Sequence, residues 1–145
     1  MNYEERDTYG MYKRGAGPGP DERQGPGPAL MGADTLVGND VFNPKGEDLG
    51  DIKEIMLDMR TGKVGYAVLS FGGFLGMGDK LFAVPWNALK LDTENKRFVL
   101  NVDNERLQKA PGFDKDHWPN MADQAWENQI QTHWQPSLYS ELPRV

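Results

Sequence analysis

From Leu36 to Val102 the chain is a succession of short apolar segments, each closed by a turn signal, with no long helical periodicity between them. Such a pattern restricts the fold to a small all-β unit. Leu36-Val37-Gly38 opens the series, and Val41-Phe42 runs into Asn43-Pro44-Lys45-Gly46. There Pro fixes one backbone angle and Gly accepts a positive one, as a tight hairpin connection requires. A strand is expected over Leu49–Leu57, with Ile52, Ile55 and Leu57 buried; their imperfect period of two predicts a bulge or bend. After the turn Asp58–Gly62, the run Lys63–Phe71 is the richest in β-branched and aromatic residues and is expected at the centre of the sheet. Leu81–Val84, Lys90-Leu91 and Arg97–Val102 complete the set, the last with Phe98, Leu100 and Val102 on one face. Five to six short antiparallel strands are too few for a sandwich, and closing them into a small barrel removes the exposed edges.

The flanks differ in composition. Gly15 to Pro28 holds five Gly and four Pro in fourteen residues without a triplet period, which a packed core cannot use. The expected organisation is a disordered Gly/Pro-rich tail over residues 1–33, a barrel over 34–109 and a C-terminal extension over 110–145. After Val102, Asp103 is placed to cap a short helix through Leu107 that ends at Ala110-Pro111-Gly112-Phe113. Asn120 and Asp123 introduce an amphipathic helix over Met121–Trp134, where Trp126, Ile130 and Trp134 at i, i+4 and i+8 form one aromatic stripe. Gln135–Val145, with two prolines, is expected to be irregular.

Composition narrows the function classes. There is no cysteine, so there is no disulfide framework, thiolate nucleophile or Cys-ligated metal, and a reducing compartment is permitted. The net charge is −6, with 22 acidic and 16 basic residues interspersed, which argues against a nucleic-acid surface and against an anionic membrane. No apolar run has signal-peptide or membrane-spanning length, so a soluble, non-exported, cytoplasmic protein without membrane insertion is expected.

The run Ser70–Trp86, SFGGFLGMGDKLFAVPW, invites a phosphate reading because glycines let backbone N–H groups approach an anion. In the best register, Asp79 occupies the position where the phosphate loop requires lysine, and a strand follows where a helix should begin. Phe74, Leu75 and Met77 are large apolar residues in a loop whose glycines resist burial, so residues 72–78 are a candidate contact surface. Asp114, Asp116 and His117 could hold a divalent ion, but carboxylates there are better explained as caps near a helix start. His133 is read as a surface residue near a helix C-terminus, and no serine sits in a nucleophile elbow. No catalytic, cofactor-binding or metal residues are assigned.

Val37-Gly38, Val41, the turn Asn43–Gly46, Leu49-Gly50-Asp51-Ile52, Asp58–Gly62 with Val64 and Tyr66, and Ala83-Val84-Pro85-Trp86 with Leu89 together resemble a PRC-barrel domain over Thr35 to about Asn104. Ala110–Asp114, Trp118 and Trp126 resemble the extension of small stand-alone bacterial members. The family is named for the photosynthetic reaction centre, whose H subunit carries such a barrel. The resemblance implies a mainly β fold, a small antiparallel barrel with a short C-terminal helical extension, used for assembly and protein contacts without a shared catalytic set. The expected function is therefore a non-catalytic interaction module. It is expected to form a homodimer, or to bind another protein, through Phe74, Leu75 and Met77 and the helical stripe Trp126, Ile130 and Trp134. The alternative is a carrier or sensor holding a small ligand or metal.

Overall fold

The computed structural model describes Tyr9, Met11 and residues 30–72 and 79–140, the side chains of Asp79 and of 135–140 excepted. The first element, α1 (Ala33–Leu36), is a single helical turn where a strand start is expected. The Gly32 carbonyl accepts from the amides of Thr35 and Leu36, and this local turn buries Leu36 without needing a sheet partner.

Strand β1 (Asp40–Phe42) turns through Asn43–Gly46 into the long β2 (Asp48–Leu57). Asn43 organises that turn: its buried side-chain oxygen accepts from the amides of Lys45 and Glu47 at 3.1 and 2.8 Å. Its amide nitrogen donates to the Val102 carbonyl at 3.2 Å, which ties the turn to the residues just after the neighbouring strand Arg97–Leu100. Asp40 pairs with Asp51 and Phe42 with Asp48, so β2 carries one extra residue opposite β1. Gly50 sits in that bulge at φ +105°, and a Cβ there would stand 2.1 Å from the Ser70 carbonyl oxygen. Only glycine lets β2 cross so close to its neighbour.

Strands β2 and β3 (Val64–Gly72) form an antiparallel hairpin with two further irregularities, one extra residue at Lys53 and one at Gly65. The bend expected from the uneven spacing of Ile52, Ile55 and Leu57 is thus present. Ile52 is fully buried and Ile55 partly so, but Leu57 is 51% exposed. It is the last residue of its strand, beyond the reach of the core.

Strand β4 (Asp79–Pro85) pairs with β3 over its whole length, and a 3₁₀ turn (Trp86–Ala88) leads into β5 (Leu89–Asp92) and β6 (Arg97–Leu100). The sheet order is β4-β3-β2-β1-β6-β5, so β3 is an inner strand, as its composition requires. Every neighbouring pair is antiparallel except β1 and β6, which run parallel. This departs from the all-antiparallel expectation. Hairpin geometry fixes direction only between strands joined by a short turn, and four strands separate β1 from β6 in the chain.

The result is a six-stranded curled half-barrel with β4 and β5 as its edges. The β4 edge is covered by the segment after the barrel, where Leu81 and Phe113 exchange backbone hydrogen bonds of 2.8 and 2.9 Å. Gly112 permits the approach, because a Cβ there would lie 2.8 Å from the Leu81 carbonyl oxygen.

Helix α2 (Asn104–Gln108) is capped by Asp103, whose carboxylate accepts from the Arg106 amide at 2.7 Å. Helix α3 (Gln124–Ser140) starts later than Met121 and ends later than Trp134. Asn120 and Asp123 close turns onto the amides of Ala122 and Ala125 ahead of it. The helix runs through Pro136, where an irregular tail is expected. The proline removes one backbone donor, but next to the break the Arg106 guanidinium donates to the His133 carbonyl. That tertiary bond and the burial of Ile130 and Trp134 outweigh the local breaker. Trp134 is the largest fully buried side chain and joins Leu69, Phe82, Val84 and Leu107 in one core.

Candidate interaction surface

Leu57 and Met59 stand at the tip of the β2–β3 hairpin, 51% and 86% exposed. The turn that presents them is closed by hydrogen bonds of its own. Asp58 accepts from the Arg60 amide at 2.9 Å and pairs with the Arg60 guanidinium, whose Nε lies 3.4 Å away. The backbone hydrogen bond from Arg60, followed by the one from its side chain, lowers the Asp58 carboxyl below its ordinary range. Gly62 closes the turn at φ +78° with open space around it.

A groove of about 470 Å³ separates this tip from the start of α3. Met56, Met59 and Met121 give it thioether walls, and Tyr66, Glu127 and Gln131 supply polar groups. Tyr66 packs edge-to-face on Trp126 with centroids 5.3 Å apart. Burial, and after it the nearby Glu127 charge, raises the Tyr66 hydroxyl above its ordinary pKa, while a hydrogen bond from Gln131 pulls the other way. The phenol and the carboxylate thus line the same groove.

A second cleft, of about 350 Å³, opens at the barrel mouth between Met31, Leu36, Ile55, Trp86 and Leu91. Trp86 follows Pro85 at this corner and meets Phe98 edge-to-face at 5.8 Å, so its partly buried ring packs against the core and forms one wall of the cleft.

The six residues expected to contact a partner divide into two groups. Phe74, Leu75 and Met77 lie outside the described residues. Ile130 and Trp134 are 2% and 0% exposed against the chain's own barrel, and Trp126 is half-buried against Tyr66. The stripe is therefore engaged within the chain.

His133 is half-buried rather than on the surface. Its ring packs edge-to-face on Trp134, and burial, followed by the Arg106 charge, lowers its pKa. His117 is exposed and bonded to Asp114 at 2.6 Å, in a turn that Asp114 also closes onto the Asp116 amide. That bond from His117 lowers the Asp114 carboxyl. The turn lies well ahead of α3, so Asp114 closes a loop there rather than capping the helix start. Among the described residues no three His, Asp or Glu side chains converge as a metal site would require, and no helix is long and apolar enough to cross a membrane.

The sequence model of the PRC-barrel domain family matches residues 29–107, more than half of the chain. The chain belongs to the PRC-barrel family. No curated protein matches it. All six strands of the PRC barrel fall within the matched residues, whereas α3 lies beyond them. Sequence reasoning missed the hairpin-tip groove. Its one local signal is Met56-Leu57-Asp58-Met59, in which apolar residues continue into a turn that offers them no core.

Proposed function

We propose that this PRC-barrel chain is a non-catalytic interaction module that pairs with itself through loop 72–78. The observation that carries this reading is where the aromatic stripe of α3 lies. Trp126, Ile130 and Trp134 pack against the chain's own barrel, so of the six residues expected at a contact Phe74, Leu75 and Met77 remain as candidates. Three large apolar residues among four glycines favour a contact over a solvated turn, and a two-fold pair is the commonest homo-oligomer. The hairpin tip, with Leu57 and Met59 outside the core, supports the same class of function. The mass of the full chain in solution, beside that of Phe74→Asp, tests it.

The second reading is a small-ligand carrier, favoured by the apolar cleft between Met31 and Trp86, whose volume of about 350 Å³ is in the range of small-molecule sites. Saturable enhancement of the probe's own fluorescence on titration with 1-anilinonaphthalene-8-sulfonate, lost in Ala33→Glu at the exposed rim of the cleft, checks it.

A further inference from the structure

The groove beside the β2–β3 tip combines features that a merely solvated furrow does not need. Three of its wall residues are methionines, whose flexible, polarizable side chains adapt to varied apolar shapes. One of them, Met59, is 86% exposed on a turn held by Asp58 and Gly62. The charges in the groove are Asp58, Arg60 and Glu127. Asp58 and Arg60 compensate one another, whereas Glu127 forms no ion pair among the described residues. Its carboxylate is half-buried, and its field is felt by Tyr66, whose ring stands on the same wall. Charges at a partly buried site are screened less by solvent and salt than those in bulk water, so a half-buried carboxylate attracts a cation more strongly, and a neighbouring aromatic ring adds to that attraction.

We propose that this groove docks an extended or helical segment of a partner protein that carries a lysine or arginine among apolar side chains. The cation meets Glu127 and the Tyr66 ring, and the flanking apolar side chains lie on Met56, Met59 and Met121. Charge complementarity selects this occupant: one uncompensated negative charge in an apolar groove matches one positive charge in an apolar segment. The inference deepens the interaction-module reading, but none of the groove residues it invokes belongs to 72–78, so the two can fail separately.

The test is a titration of the full chain, labelled at its methionine methyl groups, followed by NMR. The probe is the synthetic peptide acetyl-Ser-Leu-Lys-Leu-Leu-Ser-amide, with a control in which glutamate replaces lysine. The expected result is saturable movement of the Met56, Met59 and Met121 methyl signals with the lysine peptide alone. Glu127→Gln should weaken binding at least about fivefold, and Met59→Ser, at an exposed position that leaves the fold intact, should weaken it independently. Four results would overturn the proposal: no movement at millimolar peptide, equal binding of both peptides, unchanged affinity in Glu127→Gln, or the same movement produced by tetramethylammonium alone. Movement on concentrating the chain without peptide would assign the groove to a second copy and also overturn it. If the peptide fails while the chain is dimeric through loop 72–78, only this inference falls; if the peptide binds a chain that is monomeric throughout, only the self-association reading falls.

Discussion

The guanidinium of Arg106, on the short helix that follows the barrel, donates to the backbone carbonyl of His133 on the long terminal helix. This contact joins two elements that are separate in sequence, beside the point where Pro136 interrupts the helical hydrogen bonds. Replacing Arg106 with Met keeps much of the stem and removes the donor. A loss of about 1.5–3 kcal/mol is expected in urea unfolding, the range for a hydrogen bond to a charged group.

Stability should also depend on pH through His133. Burial and Arg106 depress its folded-state pKa below the unfolded value near 6.5. Between those two values the unfolded chain binds the extra proton. The contribution of the neutral imidazole is therefore fully present above about pH 6.5 and is lost as pH falls through the folded pKa. Thermal melts from pH 7.5 to 5 should show a shallower decline in His133→Gln than in the wild-type chain, and parallel curves would contradict this.

Trp134 is fully buried at the junction of helix and sheet. Trp134→Ala should cost about 3–5 kcal/mol, the range for truncating a large buried aromatic. If unfolding is monitored by circular dichroism, the loss should fall on the barrel signal as well as the helical one, because both share one core. A helical loss that leaves the barrel transition unchanged would contradict the shared core.

Gly50→Ala sets a Cβ against the Ser70 carbonyl at 2.1 Å while holding φ at +105°. Strain at such a position costs about 1–3 kcal/mol before the clash is added. Gly62→Ala also has a positive φ but meets nothing within 4 Å, so it should be the milder of the two. Chemical denaturation of both variants compares them directly.

Much of this architecture could be read from local chemistry. Asp103 caps its helix, Gly46 and Gly62 close their turns, and the alternation of Phe98, Leu100 and Val102 puts all three in the core. The uneven spacing around Ile52 announced the bulges in the β2–β3 pairing. What local chemistry does not specify depends on tertiary partners. The parallel pairing of β1 with β6 follows from how the chain returns across the sheet, and Leu57 falls outside the core because its strand outruns the barrel. Pro136 reads as a helix stop until Arg106 and the buried Trp134 hold the helix in place. The groove beside Met59 combines residues from β2, β3 and α3, so no single stretch of sequence displays it.

Sedimentation equilibrium decides whether the chain pairs with itself through residues 72–78, as proposed above. Twice the chain mass is expected for the wild-type protein and a single chain mass for Phe74→Asp, with the two folded alike by circular dichroism. A wild-type protein of single chain mass at every concentration, or a dimer indifferent to Phe74→Asp, would contradict it.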